Sequence, residues 1–127
     1  MKKAAVIERG RVEPDMTRAE VDLDMLRPNP WDARTKRTPE QVRKMADSIA
    51  QLGLLQRPLV RPVNAANLVV GQVAYEIACG MTRWEAVRLL ASEGKWKGPL
   101  PVQVRQLSDA DMALVALDEN RERTDLT

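Results

Sequence analysis

A single glycine separates two segments of different periodicity in Tyr75-Glu76-Ile77-Ala78-Cys79-Gly80-Met81-Thr82-Arg83-Trp84-Glu85-Ala86. Before it, Val73, Tyr75 and Ile77 alternate as on a strand. After it, Trp84, Val87, Leu90 and Ala91 recur as on one face of a helix, with Thr82 suited to cap it and Gly94 to stop it. Glycine lets two stretches of backbone approach closely, and the first amides of a helix have no partners within it. Such amides bind anions, and Arg83 can add a charge-assisted bond to a phosphate. The same residues also describe an ordinary tight turn followed by a surface arginine.

Two further clusters carry donors of the right kind. Asp118-Glu119-Asn120-Arg121-Glu122-Arg123 offers Glu119 and Asn120 as oxygen ligands suited to Mg²⁺, with Arg123 as a phosphate partner. A solvated helix end of mixed charge has the same composition. In Gly53-Leu54-Leu55-Gln56-Arg57-Pro58, Gln56 follows a helix stop, where it can bond a ligand or merely complete a turn. Charge is uneven along the chain. Residues 27–62 hold eight basic side chains (Arg27, Arg34, Lys36, Arg37, Arg43, Lys44, Arg57 and Arg61) against three acidic ones, while the whole chain has a net charge of only +2. A one-sided basic surface facing a phosphate chain follows as an expectation.

Composition removes whole classes of chemistry. With no histidine there is no histidine base, no Ser-His-Asp triad and no histidine-bound metal. A single cysteine, Cys79, excludes an intrachain disulfide and every multi-cysteine metal site, and reads most simply as a small buried apolar group in a reducing compartment. No run approaches 18 apolar residues, and the lysines near the start precede no apolar core of a signal peptide. A cytoplasmic, prokaryotic protein that does not enter membranes is the expectation.

The elements that must position these clusters can be read from pattern. Residues 1–18 show no apolar period and read as a flexible lead; 19–127 read as one domain. Val21, Leu23 and Met25 alternate as a strand from Glu20, which Pro28 and Pro30 break. Thr38-Pro39-Glu40-Gln41 is a capping sequence, followed by Val42, Met45, Ala46, Ile49 and Leu52 at helical spacing, with Gly53 as the stop. Pro58–Val63 reads as a strand whose flanking prolines suit an edge or terminal position, Asn64–Asn67 as a turn and Leu68–Val70 as extending or starting a ribbon. Val102, Val104 and Leu107 suggest another strand, and Ser108-Asp109-Ala110-Asp111 opens a third helix that gives way to a charged tail, Glu119–Asp125. The sum is an α+β domain with a small mixed sheet and about three helices.

At these clusters the sequence resembles the N-terminal domain of ParB-type chromosome and plasmid partition proteins. The resemblance runs from about Val21 to Leu126 in four boxes. These are Leu26-Arg27-Pro28-Asn29-Pro30-Trp31-Asp32-Ala33-Arg34, Met45–Ile49 with Gly53–Gln56, Tyr75–Ala86, and Leu117–Leu126. It implies a ParB/sulfiredoxin-like fold with a pocket for CTP and Mg²⁺ that works as a DNA-clamp switch, with DNA, a ParA-type ATPase and a second copy of the domain as partners. By position, Gly80, Met81, Thr82 and Arg83 would cradle the triphosphate, Glu119 and Asn120 would approach the metal, Arg123 the phosphates, and Gln56 the pocket wall. Arg34, Lys36, Arg37, Arg43, Lys44 and Arg57 would face DNA or the second copy.

The sequence also departs from the family. The usual Gly-Glu-Arg-Arg reads Gly80-Met81-Thr82-Arg83, and Arg57 stands where a proline usually follows Gln56. Loss of one charge-assisted guanidinium bond removes ~1.5–3 kcal/mol. Sulfiredoxins, which share the fold, need a cysteine directly after the glycine, where Met81 stands. The helix-turn-helix and dimerisation segments of partition proteins would lie beyond Thr127, so an excised or stand-alone domain is expected. The leading expectation is a nucleotide switch that hydrolyses CTP weakly or not at all. Two others stand beside it: a metal-dependent nuclease using Glu76, Glu85, Asp118 and Glu119, and a binding domain that kept the fold and lost the pocket.

Overall fold

The computed structural model describes residues 7–8, 11–12, 17–32, 37–63 and 74–125, with side chains between Thr17 and Glu119. Ile7–Glu8 (β1) and Arg11–Val12 (β2) pair as a short antiparallel ribbon. A five-stranded mixed sheet follows, made of Thr17–Val21 (β3), Leu26–Arg27 (β4), Leu59–Pro62 (β5), Tyr75–Cys79 (β6) and Leu100–Val104 (β7). Its order is β3-β7-β5-β6-β4. The β3–β7 and β5–β6 pairs are antiparallel; β5–β7 and β4–β6 are parallel. The helices are Pro39–Leu52 (α1), Met81–Ser92 (α2) and Asp109–Asp125 (α3). Three helices and a mixed sheet match the α+β expectation.

Two helix starts are chemically closed boxes. Gln41 N–H donates to Thr38 Oγ1 at 3.1 Å, and Thr38 N–H donates to Gln41 Oε1 at 3.0 Å. Ser108 and Asp111 repeat the exchange at α3, each bond 3.0 Å long. Hydrogen bonds to the Asp111 carboxyl from the backbone and the side chain of Ser108 hold it below its ordinary value. Helix α3 runs through the stretch expected as a charged tail.

The main core joins α1, α2 and the sheet. Ala46 and Ile49 from α1, Trp84, Val87 and Leu90 from α2, and Val60, Ile77, Leu100 and Val102 from the strands are all buried in it. Successive residues of β6 point to opposite faces. Ile77 belongs to this core, and Ala78 is buried outside it, as are Met112 and Ala116 of α3, which contacts β6. Helix α3 thus covers the other side of β6.

Several details differ from the pattern reading. The alternation at Val21, Leu23 and Met25 is not one strand: β3 starts earlier, at Thr17, and Leu23–Met25 is a 3₁₀ turn leading into β4. The lead assigned to residues 1–18 therefore contains the ribbon and the start of β3. Of the edge or terminal position expected for its prolines, the edge is not found: strand β5 is the central one. Its prolines sit at or beside its ends, and Pro58 takes part through its carbonyl, which accepts from Gln103 N–H at 2.8 Å. Thr82 does not cap α2: Gly80 is the cap residue, at φ +102°, and Thr82 is buried at the second helical position. The expected turn and ribbon at 64–70 lie outside the described residues.

Candidate functional site

Gly80 is fixed by its surroundings. A side chain there would put its Cβ 2.9 Å from Pro58 Cβ and 3.0 Å from Pro58 Cα, in a backbone conformation that L-residues rarely adopt. The close approach lets β6 pass straight into α2 beside the start of β5. Asn29 locks the same corner from a third direction: its Nδ2 donates to the carbonyls of Ala78, at 3.2 Å, and Met112, at 3.1 Å. One buried amide thereby ties the end of β6 to the first turn of α3.

That tie brings the later part of α3 to the start of α2. Gly80 N–H donates to Glu119 Oε2 at 3.3 Å, and the Cys79 thiol lies 3.8 Å from the same oxygen. The glycine junction and the acidic cluster, far apart in sequence, therefore converge. Asn120 and Arg123 follow on α3, with side chains outside the described residues.

Cys79 and Arg83 flank the start of α2, and both line an open cleft of about 490 Å³. Gln56 and Arg57 contribute from the loop before β5, and Arg18 and Gln103 from β3 and β7. Leu54, Leu55 and Leu59 supply its apolar wall. Arg83 Nη2 donates a short bond to Gln56 Oε1, so the two residues anticipated from separate boxes share one wall. Arg57 Nη1 donates to the carbonyls of Ala19, at 3.3 Å, and Val102, at 3.4 Å. Among the described residues, three guanidinium groups line this cleft and no carboxylate does. Such a surface favours a multiply charged anion.

The other anticipated residues divide sharply. Met81 and Thr82 turn into the protein and are 4% and 7% exposed, so their positions offer backbone amides rather than side chains. Thr82 Oγ1 accepts from Arg37 Nε at 3.2 Å. Arg37 corrects the expected basic surface: it is buried, bonded to Asp32 at 3.0 Å and 4.0 Å from Glu85. A desolvated guanidinium needs such carboxylates, and the fold supplies them. Arg57 is likewise drawn into the cleft. Arg43 pairs with Asp47 and, by a short bond, with Glu93, which raises its own pKa and lowers that of Glu93. Lys44 is exposed. Arg34 and Lys36 lie outside the described residues. Pattern reading missed Arg18 and Gln103 because it assigned Arg18 to the lead and gave β7 no functional role.

The carboxylates anticipated for a nuclease do not gather. Glu76 is buried between Arg27 and Arg61, Glu85 lies beside Arg37, and Glu119 faces Gly80. No cluster of three potential metal ligands occurs among the described residues. A lone Glu119 suits Mg²⁺ only in company, since that ion takes one or two carboxylates together with phosphate oxygens. No helix among the described residues is long and apolar enough to cross a membrane.

Known proteins resemble this chain in sequence and in fold. The ParB N-terminal domain family model matches residues 3–121. The chain is 31% identical over 108 residues to the nucleoid occlusion protein of Bacillus pumilus, covering 85% of this chain and 33% of that protein. It is 33% identical over 105 residues to the chromosome-partitioning protein Spo0J of Thermus thermophilus, covering 83% and 34% respectively. The chain thus spans about a third of the length of these relatives. Among solved structures, truncated Caulobacter crescentus ParB complexed with CTP-γ-S superposes with a TM-score of 0.65 at 28% identity, covering 82% of this chain and 52% of that one. The same protein complexed to the centromeric parS site superposes at 0.62, with 27% identity and coverages of 84% and 49%. Sulfiredoxin from Arabidopsis thaliana, at 20% identity and a TM-score of 0.57, shares the fold over 78% of this chain and 96% of its own.

Proposed function

This chain belongs to the ParB N-terminal domain family, which includes chromosome-partitioning proteins among its relatives, and from that premise we propose that it binds CTP with Mg²⁺ in the arginine-lined cleft as a switch for a DNA-partitioning protein. The observation that carries the reading is the meeting of Arg18, Arg57 and Arg83 in one carboxylate-free cleft beside the start of α2. The amides of Met81, Thr82 and Arg83 supply a neutral cradle, and Arg83 supplies charge. Gln56, already bonded to Arg83, holds that guanidinium in place. Glu119 and Asn120 would hold Mg²⁺ beside the phosphates, where the ion would neutralise part of their charge.

The neighbouring structure with CTP-γ-S supports a nucleotide in this fold, and the one with parS supports DNA as a partner. A ParA-type ATPase and a second copy of the domain complete the proposed system. The alternative of a binding domain without a pocket requires a closed or apolar cleft next to Gly80, whereas this cleft is open and cationic. The nuclease alternative requires converging carboxylates, which the described residues do not provide.

Isothermal titration calorimetry with CTP, in Mg²⁺ and in EDTA, tests the reading. Saturable Mg²⁺-dependent binding, weakened about tenfold or more in Arg83→Ala, is expected from the loss of a charge-assisted bond. Absence of heat with CTP and every other nucleoside triphosphate at millimolar concentration would defeat it.

A further inference from the structure

Arg18 lines the cleft from β3 and Arg57 from the loop before β5. In the antiparallel β3–β7 pair Arg18 is opposite Gln103, and both side chains line the cleft. The next rung pairs Ala19 with Val102, and the carbonyls of these two residues hold Arg57 through Nη1. Arg18 therefore lies on one rung of the ladder, and the Arg57 guanidinium is bonded to the carbonyls of the next.

Neither arginine is neutralised. Arg18 has no ion pair or hydrogen bond among the described residues, and Arg57 bonds only to uncharged carbonyls. The contrast with four other described arginines is informative. Arg27, Arg37, Arg43 and Arg61 each face at least one carboxylate. A guanidinium has five N–H donors, and Arg57 spends those of one nitrogen on the sheet, which fixes its plane and leaves the others available. A half-buried, oriented and uncompensated guanidinium beside a free one is suited to oxygens of a dense anion.

We propose that Arg18 and Arg57 form a second phosphate-binding wall, in addition to the α2 amides and Arg83, that grips the triphosphate of the same nucleotide. This inference rests on the nucleotide reading above. It also accounts for the box after Gly80: with Met81 and Thr82 turned into the core, that box offers one cationic side chain, and the sheet supplies two more. The ligand class is set by charge, because three guanidiniums match a triphosphate better than a monophosphate.

The test is calorimetric titration of the intact protein and its Arg18→Gln, Arg57→Gln and Arg83→Ala variants with CTP, CDP and CMP, alongside binding to a DNA duplex. Arg18 is exposed, so its substitution leaves the fold intact, and a melting curve of each variant identifies any that unfolds. Expected is a loss of about tenfold in CTP affinity for Arg18→Gln and for Arg57→Gln, shrinking with each phosphate removed. CTP binding unchanged in Arg18→Gln but weakened in Arg83→Ala would overturn this wall while leaving the nucleotide site standing. Equal losses for CTP and CMP, or an effect on DNA alone, would overturn it as well. If the unaltered protein binds no nucleotide, the functional reading fails first and the wall fails with it.

Discussion

The backbone N–H of Gly80 and the carboxylate of Glu119 meet at 3.3 Å although 39 positions separate them in sequence. This contact joins the strand–helix junction to the acidic end of α3 and defines where a ligand must compete or coordinate. A phosphate arriving at the α2 amides meets Glu119 at once. Like charges at that distance repel unless a cation lies between them, which is the physical reason the proposed nucleotide site would need Mg²⁺. Glu119→Gln should therefore weaken the Mg²⁺ dependence of CTP binding, measured as the ratio of affinities with and without the ion.

Gly80→Ala should damage both fold and site. Its Cβ would clash with Pro58, and its φ of +102° is unfavourable for alanine. Backbone strain and overpacking together cost about 2–4 kcal/mol. Thermal unfolding should show a fall in Tm of roughly 10 °C or more. A Tm within a degree or two of the unaltered protein would mean that the corner is not so constrained.

Asp32→Ala should be far more harmful than removal of a surface acid. It would leave the Arg37 guanidinium, whose side chain is 1% exposed, with only Glu85 at 4.0 Å as a counter-charge. Breaking a buried ion pair costs about 3–5 kcal/mol, and the remaining Glu85 places this case near the low end. Urea unfolding of Asp32→Ala against Asp47→Ala, whose side chain is 67% exposed, measures the difference.

These cases show what the sequence could and could not reveal. The boxes at Thr38 and Ser108 were readable because both partners lie within four residues. Gly80 was readable because periodicity changes across it. Arg37 and Arg57 were not, since their partners Asp32, Thr82, Ala19 and Val102 are chosen by how strands and loops meet. The central place of β5 was also hidden. Its prolines fit an edge strand or the ends of an interior one, and only the assembled sheet decides between the two.

Acid should weaken the tie between α1 and the end of α2. Arg43 bonds to Glu93 and lowers the pKa of that carboxyl. A lowered folded-state pKa gives stability that is present above the ordinary glutamate value and lost as pH falls through the folded one. Glu93→Gln should thus be less stable than the unaltered protein at pH 7 and equal to it in strong acid. Because the pair is exposed, added salt should shrink the gap. Chemical denaturation across pH 2–7 provides the comparison.

The most direct test of the whole account is a ¹H–¹⁵N NMR titration of the protein with CTP and Mg²⁺. The account predicts that the amides of Gly80, Met81, Thr82 and Arg83, and the Nε signals of Arg18, Arg57 and Arg83, shift together and saturate at one equivalent. Saturable shifts confined to residues away from this cleft, or no shifts at millimolar CTP, would contradict it.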